Sequence, residues 1–450
     1  MAAEGAATDV ETPAPPPAYA ILRFDENYSA MANPANRCDW SDPIKYIPLP
    51  TGMPSSYLTL GGEVRERFEG QNNLDFGLAG GASNEWLQRI TLLTDWHLGP
   101  KIRFFVEGIS GKISGQRGPA PAVQDDPLDL QCAFVEITPY EESDGKLALR
   151  AGRFGLSLGS GRLVATRAAP NIPFRFDGFE ALYTRPAWAV TTFVTRPAKD
   201  DGKFDGADYS TAFWGAYATH WFDAPHTLGL DLYYLGIRNQ HGAYASGHGD
   251  ERRHSIGTRA FGQRDRWDVN AEAVWQWGTF GHESIRAWTA SIDSGYTLDA
   301  PFKPRLGAKL DVTSGDRHPG QGTQGTFDAL YFKSGYFNDA SLLRPENIID
   351  AHPNLAFKLP RSISLDGGVD FLWRYSRSDA VYAVPGFVAI PALKSAPNYV
   401  GTAYDVNATW QIQRHLTFQV SYVYFATGDY VHEAGGRDVN YASATMDFLF

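Results

Sequence analysis

The sequence predicts an all-β fold, a transmembrane antiparallel β-barrel of about eighteen strands, on three observations. The first is the closing run Asn440 to Phe450. Ala442, Ala444, Met446, Phe448 and Phe450 alternate there with Tyr441, Ser443, Thr445 and Asp447, so one face suits lipid, the other suits water, and an aromatic ends the last strand. The second is recurrence: similar alternating segments fill the chain from about residue 55 onward, and tight turns alternate with longer loops between them. The third is tryptophan spacing. Trp86 and Trp96 share one parity, as do Trp267 and Trp277. At ~3.3 Å per residue and a tilt near 40°, each spacing spans roughly 25 Å, the height of a lipid-facing band between aromatic girdles.

Taken in order, segment 55–68 sets Glu63, Arg65 and Arg67 on one parity, and 84–98 sets Arg89 and Asp95 opposite its tryptophans. After the turn Leu98-Gly-Pro-Lys101, segment 101–112 carries Arg103 and Glu107 inward, followed by 128–139 and by 146–155 with Arg150 and nearby Arg153. Segments 173–185 and 187–196 flank Arg185-Pro-Ala187, and 209–222 and 225–237 flank Phe222-Asp-Ala-Pro225. Leu228, Leu230, Leu232 and Tyr234 face out against Asp231. Segments 252–263 (Arg253, Arg259) and 266–278 (Asp268, Glu272) flank Gln263-Arg-Asp-Arg266, and 284–298 adds Asp293. In 303–314, Leu306, Ala308, Leu310 and Val312 oppose Arg305, Lys309 and Asp311. Segments 347–359 and 361–376 flank Leu359-Pro-Arg361, the second setting Ile363, Leu365, Val369, Phe371, Trp373 and Tyr375 against Asp366, Asp370 and Arg374. Segment 400–413 (Asp405), the turn Gln413-Arg-His415, segment 415–427 with Leu416, Phe418, Val420, Tyr422 and Tyr424 outward, and 438–450 with Asp447 complete the series. Longer loops are expected near 69–83, 113–127, 156–172, 197–208, 238–251, 315–346, 377–399 and 428–437. Short periplasmic turns opposed to long extracellular loops are the asymmetry of an outer-membrane barrel, and an even strand count puts both termini in the periplasm.

Composition agrees. Aromatic residues make up 14% of the 450-residue chain, and no stretch of about 18 apolar residues exists, which excludes transmembrane helices. No linker or charge block divides the chain after about residue 55, so 55–450 is read as one barrel domain. Residues 21–54 are expected to form a periplasmic extension that plugs the barrel mouth, and the Ala/Pro-rich residues 1–20 to be disordered. Those first residues lack the charged and apolar regions of an export signal, so the reading is that a signal has been removed and Met1 added, or that the true start lies elsewhere. The net charge of −11 without a basic tail excludes nucleic-acid binding. Cys38 and Cys132 allow one bridge at most, and two unpaired thiols fit equally well.

The chemistry lies on the inward parity. Both signs of charge are plentiful there, which implies a lattice of lumen salt bridges. Arginine dominates the cations, and its planar fork suits bidentate contact with carboxylates. About eighteen strands leave an open aqueous channel rather than a side-chain-filled core, and a chain of sugar residues can pass if loops or plugs allow. The candidate pore residues are Arg65, Arg67, Arg89, Arg103, Arg150, Arg153, Arg259, Arg305, Lys309 and Arg374, with Glu63, Asp95, Glu107 and Asp370. Catalysis has little support: the eleven histidines are scattered, no Gly-x-Ser-x-Gly is present, and no cluster has metal-ligand spacing. Leu156-Ser-Leu-Gly-Ser-Gly-Arg162 lacks the Lys and following helix of a phosphate loop and reads as a constriction or loop. No cofactor is expected beyond Ca²⁺ at loop acids such as Asp125, Asp126, Asp200 and Asp201, for which solvated loop charge is the alternative.

The chain resembles the alginate-export outer-membrane proteins. The likeness is carried by Arg23-Phe-Asp-Glu-Asn-Tyr-Ser29 with Lys45-Tyr-Ile-Pro-Leu49, Gly61-Gly-Glu-Val-Arg-Glu-Arg67, Leu149-Arg-Ala-Gly-Arg153 followed by Gly159-Ser-Gly-Arg-Leu163, Phe176-Asp-Gly178, Ile349-Asp-Ala-His-Pro353 and Phe371-Leu-Trp-Arg-Tyr-Ser-Arg377. The resemblance implies a monomeric eighteen-stranded barrel, embedded in outer-membrane lipid, whose arginine-lined constriction passes a polyuronate outward from periplasmic export machinery. It places Arg65, Arg67, Arg150, Arg153 and Arg374 as lumen cations. One departure is the turn after the sixteenth strand, which is long and pore-plugging in the family's exporter and only Gln413-Arg-His415 here. The competing readings are a general or substrate-biased porin for small-solute uptake, and an anchor or adhesin using loops 315–346 and 377–399.

Overall fold

A computed structural model describes residues 16–384 and 387–450. Eighteen strands form the barrel: β1 (Tyr57–Gln71), β2 (Ser83–Leu98), β3 (Ile102–Ser114), β4 (Asp126–Glu142), β5 (Gly145–Phe154), β6 (Phe176–Arg185), β7 (Trp188–Pro197), β8 (Thr211–Trp221), β9 (Leu228–Tyr244), β10 (Gly247–Arg264), β11 (Trp267–Phe280), β12 (Glu283–Thr297), β13 (Arg305–Thr313), β14 (Ile348–Leu359), β15 (Ile363–Arg374), β16 (Tyr399–Gln413), β17 (Leu416–Thr427) and β18 (Val439–Leu449). Each pairs antiparallel with its neighbours in sequence, and β1 pairs with β18 from Glu63↔Leu449 to Gln71↔Tyr441. That last ladder leaves no open edge, which is what lets strands cross a bilayer with every backbone group paired.

Side-chain alternation sets the two faces. Trp86, Trp96, Trp267, Trp277, Leu232, Leu306 and Leu310 are exposed on the outer face, while Arg65, Arg67, Arg89, Asp95, Arg150 and Asp370 are buried on the inner one. Two expected loop features are corrected. The loop foreseen at 238–251 is a continuation of β9 and β10, paired through Asn239↔Glu251 and Gly242↔Gly249 to a turn between Tyr244 and Gly247. Its polar residues signal a strand pair standing beyond the lipid, where alternation in hydropathy is lost although the ladder persists. The outer connection from β11 to β12 is also tight, with Gly281 at φ 54°. The strict alternation of short and long connections therefore fails at these two points.

The interior departs further from the expected open channel. Residues 155–175, between β5 and β6, and 314–347, between β13 and β14, run inside the barrel, where Val164 bridges Tyr331. Leu156, Leu163, Val164, Phe327 and Tyr331 pack there against Phe176, Phe213 and Phe280 of the wall. Each such side chain contributes about 1.5–3 kcal/mol of burial, so the inward loops are held by apolar packing. A second cluster joins Phe76, Leu372, Val381, Ile390 and Tyr430 under the outer loops.

The segment before β1 closes over the opposite end. Phe24 inserts edge-on between Phe105 and Phe134, with ring centroids 5.7 and 5.2 Å away. Arg23 donates to the carbonyls of Gly62 (3.1 Å) and Phe450 (3.0 Å), and Lys45 donates to Leu60 O (3.0 Å). Gly62 is required at this seam: a Cβ there would stand 2.5 Å from Thr91 O and 2.8 Å from the Phe450 ring. Cys38 and Cys132 are both free thiols.

Candidate functional site

A strap of the first inward loop, Thr166 to Pro170, divides the lumen into two chambers. The outer one, of about 310 Å³, is lined by Ala169 and Pro170, and the inner one, of about 210 Å³, by Thr166 and Ala168. Neighbouring strands β1 and β2 hold the strap from the wall. Arg65 and Arg89 are paired in register, and Arg65 donates to Ala168 O (2.5 Å) and Ala169 O (2.9 Å). Arg89 donates to Ala168 O (3.1 Å) and Pro170 O (3.2 Å) while its other nitrogens grip Glu63 at 3.0 and 2.8 Å. Two guanidiniums thus fix a run of backbone carbonyls across the pore. Upstream, Gly159 takes φ 56°, and any Cβ there would fall 2.0 Å from the Tyr217 hydroxyl, so the loop enters the barrel through a glycine.

Arg167 stands out within the strap. It adopts φ 52°, a left-handed conformation unfavourable for a side chain of this size. Its guanidinium lies 3.8 Å over the Phe174 ring, only 9% of the residue is exposed, and Nε and Nη2 donate to no described residue. Burial pulls its pKa down to about 10, opposed by the charge of Asp200. Arg167 shares the outer chamber with Arg67, Lys333 and Arg344, against Glu69, Asp75 and Asp339. Arg67 is committed to Glu69, to Asp339 (3.0 Å) and to Tyr441 (2.8 Å). Lys333 makes no ion pair among the described residues, and its side chain is exposed to the chamber. The inner chamber is mixed, with Arg23 and Arg89 beside Glu63, Glu107 and Asp447.

Of the remaining residues singled out from sequence, all but Arg374 form wall-bound pairs. Arg103 grips Asp95 at 2.8 Å and donates to Phe24 O. Arg150 bonds Glu136 (2.8 Å) and Glu180 (2.6 Å) with its guanidinium 4.4 Å from the Phe24 ring and 4.5 Å from Phe134. Arg153 holds Asp177 at 2.7 Å, Arg259 holds Asp231 at 2.8 Å, and Arg305 holds Asp268 (2.6 Å) and Asp293 (3.1 Å). Lys309 pairs with Asp311 (3.1 Å) and Asp370 lies 2.9 Å from His352. Arg374 lies 3.6 Å over the Tyr430 ring and donates to Leu393, Ala396 and Pro397 carbonyls, pinning an outer loop. Asp126, Asp129 and Asp205 do converge, but Arg175 sits among them, bonded to Asp129 and, at 2.7 Å, to Asp200; Asp201 instead pairs with Lys199.

Strand parity does not reach Arg162, Arg167, Lys333 and Arg344, because all four lie in irregular segments. Only Arg162 carried a signal, the Gly-Ser-Gly run before it; it bonds Asp311, Tyr336 and, at 2.6 Å, Thr289. The wide concavity bounded by Val135, Ile137, Leu149, Phe179 and Val194 faces lipid and is no part of the channel.

Comparison with known proteins agrees with this architecture. No curated protein matches the chain. Among solved structures it is similar to the outer membrane protein OpdK of Pseudomonas aeruginosa (12% identity, 87% of this chain and 98% of that one, TM-score 0.59). It is also similar to OccAB1 of Acinetobacter baumannii (12% identity, 87% and 96%, TM-score 0.58) and to a BenF-like porin of Pseudomonas fluorescens Pf-5 (9% identity, 87% and 99%, TM-score 0.56). At these identities the likeness is one of fold. The alginate-export family model matches residues 56–445, the length of the barrel, and with that match the chain belongs to the alginate-export family of Gram-negative outer-membrane channels.

Proposed function

We propose that the channel passes an anionic polysaccharide such as a polyuronate, outward, with Arg167 and Lys333 of the outer chamber meeting its carboxylates in turn. The observation that carries this reading is Arg167, a buried cation at the partition whose Nε and Nη2 donate to no described residue. Holding such a charge out of water is costly unless an anion completes it. Weak, repeated contacts suit a sliding polymer, since one tight site would stall it. The strap lies across the path and has to swing aside for a chain to thread. The sequence shows no nucleotide-binding motif, so the driving force is supply from periplasmic machinery.

A second reading, substrate-biased uptake of small carboxylates, is favoured by the outer chamber's volume of about 310 Å³, which suits one sugar-sized acid better than a chain. Planar-bilayer recordings of wild type and Arg167→Met with uronate oligomers and monomers test both. The first reading expects block that strengthens with oligomer length and weakens by about tenfold in the variant, the worth of one charged hydrogen bond. Equal block by monomer and oligomer would favour uptake, and block unaltered in the variant would remove Arg167 from the path.

A further inference from the structure

We infer that Asp350, His352 and Asp370 form a binding site for a divalent transition cation on the lumen wall, under the second inward loop. Asp350 and His352 lie on β14 and Asp370 on β15, and one donor atom from each falls within 4.8 Å of the others. Clustered acids alone would not mark a site, but donor atoms of all three residues lack a hydrogen-bond partner among the described residues. Asp350 is 1% exposed and neither of its carboxylate oxygens accepts a hydrogen bond from any described residue. His352 places Nδ1 2.9 Å from Asp370 Oδ1 and Nε2 3.7 Å from Asp405 Oδ1, yet neither nitrogen makes an aligned hydrogen bond to a described residue.

The nearby cations are already engaged. Asp311, opposite Asp350 in register, takes Arg162, Lys309 and the Tyr336 hydroxyl, and Lys309 spends a further bond on Tyr336 O at 2.9 Å. Space for the imidazole is made by Gly368, where a Cβ would fall 1.9 Å from His352 Nε2. One imidazole with two carboxylates is a donor set of the kind that Zn²⁺ and its neighbours take. Asp370 Oδ1, beside His352 Nδ1, accepts no hydrogen bond from a described residue, and Asn338 donates to its Oδ2 at 3.0 Å. That amide both orients the carboxylate, as outer partners of metal ligands do, and ties the site to the loop that fills the pore. A bound cation therefore staples that loop to the wall.

The test uses the full chain, without a histidine tag, in detergent micelles, stripped with chelator and titrated with Zn²⁺ by calorimetry. The expected result is one Zn²⁺ per barrel, with Asp350→Asn and His352→Gln each weakening affinity by at least about tenfold, while surface Asp201→Asn changes nothing. No Zn²⁺ uptake by the folded wild type would overturn the site and leave a proton shared by Asp350 and Asp370 as the alternative; so would wild-type affinity in Asp350→Asn. Should either variant fail to fold, Co²⁺ added to the wild type decides alone. Visible ligand-field bands at one equivalent support the site, and their absence overturns it.

Discussion

Two arginines within one pore meet opposite fates, and the difference is in what surrounds each guanidinium. Arg150 is balanced by Glu136 and Glu180 and packed against two phenylalanines, whereas Arg167 has an aromatic face on one side and, among the described residues, no acceptor at Nε or Nη2. Removing one partner of a buried ion pair leaves the other charge uncompensated, at a cost of about 3–5 kcal/mol. Arg150→Met is therefore expected to lower the free energy of unfolding by that order, read as a lower urea midpoint, and to leave oligomer block unchanged. Arg167→Met is expected to do the reverse, with a midpoint equal to or above that of wild type, since it removes a desolvated charge. Measuring both midpoints alongside block separates the lattice from the path; equal effects of the two variants on block would contradict the distinction.

At the scale of elements, the N-terminal extension is the clearest case of a segment held by chemistry that pH can reach. Burial, with Arg23 adding to it, lowers the Lys45 pKa from 10.5 to about 7. An undocked Lys45 keeps its proton to about pH 10.5 and a docked one only to about 7, so between these values docking releases a proton and strengthens as pH rises. Below pH 7 both forms are protonated and the contribution is flat. Trp40, 6.3 Å from Phe448 and stacked on it, reports docking. Its fluorescence transition in urea is expected to move to higher urea from pH 7 to pH 9 in wild type and not in Lys45→Met; the same shift in both would remove Lys45 as the cause. Deleting residues 16–50 withdraws Phe24 from the interior and is expected to raise single-channel conductance, and an unchanged conductance would count against a plug. These features mark the limit of sequence reading. Strand positions were legible because lipid and lumen impose a period of two on residues such as Leu228 to Tyr234. Residues 155–175 and 314–347 obey no period, and their inward folding depends on Val164 meeting Tyr331, far apart in sequence.

For the whole molecule, the closed eighteen-strand wall sets the route, and the inward loops set what can use it. The wall's charges were readable as inward-facing from parity, but which of them remain available was not, because pairing is a tertiary property: Arg305 and Arg167 are both arginines in this lumen, and only one faces two aspartates. The outer chamber's cations and the mixed inner chamber predict a channel that favours anions from the outer side and conducts poorly until the strap of Thr166 to Pro170 moves. The most direct test is the reversal potential of the reconstituted channel in a KCl gradient, recorded with and without uronate oligomers. A potential showing anion preference, with current suppressed by the oligomers, is the predicted result; an unselective current that the oligomers leave untouched would contradict it.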